Sequence, residues 1–130
     1  DIENALRYVA KNYSLAITLD DVAAEINLSP TYLSKKFKKV TGLTFKEYVN
    51  YIRIRQACQM LITTDDNITK IAINCGFNSS NYFKDCFRRI VGISPRSFKK
   101  QASNHSYEFH TETPVTVGDR LNVLDLFQKL

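Results

Sequence analysis

No window of the 130-residue sequence approaches the ~18 consecutive apolar residues that a membrane-crossing helix needs, so a membrane span is excluded. No charged-then-apolar leader opens it, which argues against a secretory signal. Methionine occurs once, at Met60, so the sequence reads as a piece of something longer. Histidine occurs twice, at His105 and His110, without thiols or carboxylates at ligand spacing, so the pair offers no metal site. Residues 1–100 lack a Gly-rich phosphate loop, a paired-carboxylate site on one rigid element and any Ser/His/Asp arrangement. An enzyme is therefore not expected there, and no cofactor is implied. The three cysteines, Cys58, Cys75 and Cys86, are odd in number and far apart, with no CxxC spacing. That argues against a disulfide framework or zinc site and favours free thiols packed as small core residues in a reducing cytoplasm.

What is present is ordinary globular material, 44% apolar and 24% charged. The charge is unevenly placed. Residues 1–100 carry 16 Lys/Arg against 9 Asp/Glu, and residues 101–130 carry 2 against 4. The positive excess thus belongs to the first hundred residues, as a phosphate-rich partner would require.

Helix signals recur, and strand signals are nearly absent before residue 105. Ile2, Leu6, Val9 and Tyr13 repeat at helical spacing and predict a helix over about 2–13. Thr18 with Asp21 forms a capping-box start to a helix through Val22, Ala23 and Ile26. Ser29-Pro30 restarts a helix through Leu33, Phe37 and Val40, which Gly42 ends. Thr44 with Glu47 opens the longest periodic run, through Tyr48, Ile52, Ala57 and Leu61, broken at Asp65-Asp66-Asn67. Ile68, Ile71, Ala72 and Cys75 form a short helix stopped by Gly76. Ser79 caps another, carrying Phe83, Phe87 and Ile90 and closed by Gly92. Ser94-Pro95 starts a last short helix through Phe98.

The sequence also repeats itself. At an offset of 50, Ser29, Tyr32, Phe37 and Gly42 match Ser79, Tyr82, Phe87 and Gly92 identically. Lys38/Arg88, Lys39/Arg89, Leu43/Ile93, Thr44/Ser94 and Tyr48/Phe98 match in kind. In the preceding helix the offset is 49, pairing Val22-Ala23 with Ile71-Ala72 and Leu28 with Phe77, so one extra residue sits near Asn78. The unit is a short helix, a tight turn and a second helix ending in a basic pair. That is a helix-turn-helix plan, whose second helix can enter a major groove about 12 Å wide. The competing reading is a duplicated hairpin in an ordinary helical bundle. Against it, the exposed positions of each second helix are small polar or basic apart from Asp85. The pairs Lys38-Lys39 and Arg88-Arg89 also fall at equivalent places, as phosphate contacts would.

Residues 1–100 resemble the DNA-binding domain of the AraC/XylS family of bacterial transcription regulators. The resemblance is carried by Ile71-Ala72, Cys75-Gly76-Phe77, Tyr82-Phe83, Phe87-Arg88-Arg89, Gly92-Ile93-Ser94-Pro95 and Phe98-Lys99. Arg53-Ile54, Ala57 and Met60-Leu61 agree with the family's linker helix. Two positions depart from the pattern: Phe98-Lys99 stands for the usual Tyr-Arg, and Phe45 for a frequent Pro. The family implies an all-α fold of seven helices, two helix-turn-helix subdomains of homeodomain-like type joined by a long helix. The expected division is a first module over 1–45, a linker helix over 46–62 and a second module over 63–100. A helix over about 45–62 is roughly 27 Å long, which suits two recognition helices set near one DNA turn apart, about 34 Å.

By family correspondence, Thr31, Ser34 and Lys35 face base edges in the first module, with Lys38 closer to the backbone. Ser80, Asn81, Lys84 and Asp85 do so in the second. Asn81 suits bidentate recognition of adenine, and Lys35 can donate to guanine. Asp85 stands where the family often has a cation. It either accepts from cytosine N4 or repels phosphate, and the expectation inclines to a weaker, more tolerant second half. Lys38, Lys39, Arg88, Arg89, Lys46, Arg53, Arg55 and Arg96 are candidate phosphate contacts. Backbone N–H groups near Ser29, Ser79 and Ser94 can grip phosphates too. Tyr32, Leu33, Phe37, Tyr82, Phe83 and Phe87 are expected in the core or packing the turn.

The implied partner is double-stranded DNA, with RNA polymerase as a further partner of an activator in the cytoplasm. Regions outside the sequence could make the full protein a dimer. The alternative is a non-enzymatic helical module whose basic face binds RNA or an acidic protein. Beyond residue 100, Gln101–Ser106 reads as a linker, Tyr107–Thr113 alternates like a strand, and Leu121, Leu124 and Phe127 share a helical face. The favoured reading is the start of a further C-terminal domain, against a helix docking back or a frayed tail.

Overall fold

The computed structural model describes residues 2–105, with residues 116–117 and 121–122 beyond them. Seven helices follow one another: α1 (Ile2–Asn12), α2 (Leu19–Glu25), α3 (Pro30–Thr41), α4 (Phe45–Thr63), α5 (Ile68–Asn74), α6 (Ser80–Val91) and α7 (Pro95–His105). Strands β1 (Thr116–Val117) and β2 (Leu121–Asn122) pair antiparallel, Val117 opposite Leu121. The chain divides into two compact units, Asp1–Ile52 and Arg53–Leu130, the boundary falling inside α4.

Side chains at the helix starts satisfy the N–H groups that each first turn leaves unpaired. The Thr18 hydroxyl accepts from Asp21 N at 3.1 Å while Thr18 N donates to Asp21 Oδ2 at 3.0 Å. The same reciprocal box joins Thr44 and Glu47 at the start of α4. Ser29, Asn67 and Ser79 cap α3, α5 and α6 with single acceptor oxygens, each interaction contributing about 1 kcal/mol. Gly42 and Gly92 end α3 and α6 with φ of 79° and 100°, a left-handed conformation that side chains disfavour.

In the first unit, α1, α2 and α3 pack on one another around Ile2, Ala5, Val22, Ala23, Leu33 and Phe37, all buried. Two rings of α4 close on Phe37 edge to face, Phe45 at 5.8 Å and Tyr48 at 5.2 Å between centroids. Phe45, partly buried, therefore packs against the core of the first unit. In the second unit, Phe77, Phe83, Phe87 and Phe98 form a chain of ring contacts across the turn, α6 and α7. The duplication reaches this level of packing. Phe87 meets Phe98 edge to face at 5.6 Å, as Phe37 meets Tyr48 fifty residues earlier.

Cys58, Cys75 and Cys86 are free and buried, as expected. Burial raises the Cys58 thiol far above its ordinary range and pushes Cys75 up to about 12, so both stay neutral near pH 7. Cys75 Sγ lies 3.7 Å from Met60 Sδ, part of the apolar packing between α4 and the end of α5.

The last helix is longer than the sequence suggested. The linker expected over Gln101–Ser106 is helical through His105. Nothing between Pro95 and His105 breaks a helix, and Ala102 is buried one turn beyond Phe98, so the apolar face continues. Lys99 anchors it: its ammonium donates to the Leu61 and Thr64 carbonyls at 3.0 and 2.9 Å, capping the C-terminal end of α4. Leu121 lies in β2 rather than on a helical face. The strand expected at 107–113, and Leu124 and Phe127, lie outside the described residues. Among the described residues no helix is long and apolar enough to cross a membrane, and no His/Cys/Asp/Glu group is arranged to hold a metal.

Candidate nucleic-acid interface

Two turns set the two candidate recognition helices. In the first, Asn27 takes a left-handed φ of 60° and Leu28 N donates to Ala23 O at 2.9 Å. In the second, Gly76 has a φ of 102° and Phe77 N donates to Ala72 O at 3.0 Å. Both pairs of positions are related by the offset of 49, so the same backbone lock ends α2 and α5. The extra residue, Asn78, comes after the lock and before Ser79. Each turn then drops its apolar residue, Leu28 or Phe77, against its unit's interior.

Helix α3 buries Leu33 and Phe37 and exposes Thr31, Ser34, Lys35 and Lys38. Those four fall at i, i+3, i+4 and i+7, the spacing of one helix face. Helix α6 buries Phe83, Cys86, Phe87, Ile90 and Val91 and exposes Asn81, Lys84, Asp85 and Arg88 at the same spacing. Ser80 is half-buried. None of these eight exposed side chains makes a hydrogen bond or ion pair among the described residues, so their donors and acceptors are available. Lys39 and Arg89 are exposed beside them, although Arg89 Nη2 reaches Cys86 Sγ at 3.4 Å.

The remaining expected contacts sort themselves by burial. Lys46 and Arg96 are exposed. The hydroxyls of Ser29, Ser79 and Ser94 accept from backbone N–H groups of their own first turns, at 3.1, 3.2 and 3.1 Å. Their side chains thus hold the helix starts in place. Arg55 is half-buried.

Arg53 differs. It is half-buried, with its guanidinium 5.8 Å from the centre of the Phe77 ring. Burial lowers its pKa, and the nearby Tyr82, Cys75 and Cys86 oppose that shift. Arg53 therefore ties α4 to the second turn. We expect Arg53→Ala to lower the unfolding free energy by about 1 kcal/mol, the scale of a partly desolvated cation–π contact. The salt dependence of DNA binding should stay unchanged. A fall of about one in the salt slope would mark Arg53 as a phosphate contact instead.

Of the six side chains expected in the core or packing the turn, Tyr32 and Tyr82 lie outside the core, 49% and 39% exposed. The buried stripe runs through 33 and 37, four apart, whereas 32 and 37 are five apart and cannot share it. Tyr82 packs the turn, its ring tilted against Phe77 with 6.0 Å between centroids. Both tyrosines flank the exposed face at the first turn, so each adds a phenol beside Thr31 or Asn81.

A family model for the helix-turn-helix domain matches residues 22–101, which takes in both turns and both exposed faces. The chain belongs to the AraC/XylS-type helix-turn-helix family. It is 37% identical over 106 residues to the regulatory protein PocR of Salmonella typhimurium, covering 82% of this chain and 35% of that protein. It is also similar to an AraC-type transcriptional regulator from Chromobacterium violaceum, at 28% identity and a TM-score of 0.73, covering 76% of this chain and 88% of that one. The DNA-binding domain of AdpA, solved in complex with a target DNA, shares the fold at 22% identity. Its TM-score is 0.76, over 80% of this chain and 94% of that one. The AraC-type domain described here thus spans about a third of the length of the curated relatives it matches. It is a sequence-specific DNA-binding domain of transcription regulation, and the family is not enzymatic.

Proposed function

We propose that this AraC-type domain binds one asymmetric double-stranded site, α3 entering one major groove and α6 the next. Thr31, Ser34 and Lys35 meet base edges in the first half-site, and Ser80, Asn81, Lys84 and Asp85 in the second. Lys38, Lys39, Arg88 and Arg89, with Lys46, Arg96 and the helix starts at Ser29, Ser79 and Ser94, hold the phosphates. The division into a first module, a linker helix and a second module belongs to the same reading.

One observation carries it. Two helices of twelve residues, each begun by a serine cap and ended by a left-handed glycine, expose the same four face positions, the last of them opening a basic pair. The duplicated units expose equivalent positions as well as sharing a core plan, which suits two like dockings on one repetitive ligand. In the whole regulator, the domain acts in the cytoplasm on promoter DNA and presents bound RNA polymerase with an activating surface. Dimerisation would use regions outside this chain.

The test is competition binding at several salt concentrations. A duplex selected from a random pool should bind about a thousandfold or more tightly than random duplex, with affinity falling steeply as salt rises. Equal affinity for all duplexes, or for RNA of the same sequence, would contradict the reading.

A further inference from the structure

We propose that Asp85 makes α6 select cytosine at one position of its half-site and reject guanine there. This rests on the docking of α6 in a major groove and names what that face recognises. Asp85 is the only acidic side chain in either α3 or α6. Its counterpart fifty residues earlier is Lys35, so the duplicated faces carry opposite charges at one equivalent place. It lies one turn after Asn81 and one turn before Arg88, on the exposed face.

The carboxylate is also uncompensated. Arg88 and Arg89 follow at i+3 and i+4, the spacing at which helices form acid–base pairs. Yet Asp85 makes no ion pair among the described residues, and Arg89 reaches Cys86 Sγ instead. A structural acid on an exposed helix would be expected to take the nearby cation. This one is left facing outward between Lys84 and Arg88.

An ionised carboxylate only accepts hydrogen bonds. In the major groove guanine offers two acceptors, O6 and N7, and thymine offers an acceptor and a methyl group. Adenine sets its N6 donor beside the N7 acceptor. Cytosine presents its N4 amino group with no acceptor of its own beside it, so it is the base edge a carboxylate fits. Repulsion between Asp85 and phosphate weakens binding to every sequence alike, whereas base selection changes the ratios between sequences. The two effects separate cleanly in one experiment.

That experiment measures the 130-residue chain, as wild type, Asp85→Ala and Asp85→Asn, against duplexes carrying each of the four bases at each position of the second half-site. Thermal unfolding of each variant confirms that this exposed substitution leaves the fold intact. Wild type should favour cytosine over guanine about tenfold at one position. Asp85→Ala should bring that ratio within about twofold, and Asp85→Asn should shift the preference to adenine, whose N6 and N7 suit a carboxamide. Uniformly tighter binding of Asp85→Ala with unchanged ratios would overturn the proposal and leave simple repulsion. If Lys35→Ala alters preferences in the first half-site while the second ignores Asp85, this inference alone fails. If neither half-site shows any preference in wild type, the docking of both helices fails with it.

Discussion

Replacing Phe87 with Ala is expected to cost the second unit about 3–5 kcal/mol, the range for truncating a fully buried aromatic. Phe87 is wholly inaccessible and holds Phe83 and Phe98 at 5.8 and 5.6 Å, so it ties the middle of α6 to α7. Small domains have only about 5–15 kcal/mol of stability, so the loss is a large share of the whole. Phe37→Ala should do the same to the first unit, because Phe37 is equally buried between the α4 rings. Tyr82→Ala, by contrast, removes a ring that is 39% exposed and should cost under about 1 kcal/mol. Chemical denaturation of the three variants checks the ordering. Equal losses at Phe87 and Tyr82 would show that the chain of rings is not the core.

The second large effect falls on recognition. Lys35→Ala and Asn81→Ala should each relax discrimination at one position of one half-site by about 1–3 kcal/mol. Both side chains are exposed and uncommitted among the described residues, so their loss should leave stability nearly unchanged. Lys38→Ala and Arg88→Ala should behave differently, weakening all duplexes alike and reducing the salt slope by about one each. Titrations of paired specific and random duplexes at several salt concentrations separate the two classes. A uniform loss from Lys35→Ala would reassign it to the phosphates.

Much of this was legible in the sequence, because helix ends and internal repetition are written in small local signals. Thr18 with Asp21, Thr44 with Glu47, and Ser29 and Ser79 each announced a helix start that the structure confirms. Gly42 and Gly92 announced the stops. The exposed faces of α3 and α6 then follow from where Leu33 with Phe37 and Phe83 with Phe87 must point. What escaped depended on contacts distant in sequence. The extension of α7 comes from Lys99 reaching carbonyls at the end of α4, 38 and 35 residues away. The placement of Arg53 over Phe77 pairs a helix with a turn 24 residues on, and no local pattern encodes it. Val40 and Ile90 occupy matching repeat positions, yet Val40 is 55% exposed and Ile90 only 3%. Similarity in kind did not fix burial, since that depends on which neighbours each unit supplies.

Hydroxyl-radical footprinting of the selected duplex tests the central claim most directly. Two successive grooves read by one chain predict two protected patches on one face of the DNA, about 10–10.5 base pairs apart. Lys35→Ala should weaken protection mainly in one patch and Asn81→Ala mainly in the other. A single patch, or one that both substitutions erode equally, would contradict a chain that reads two grooves with two helices.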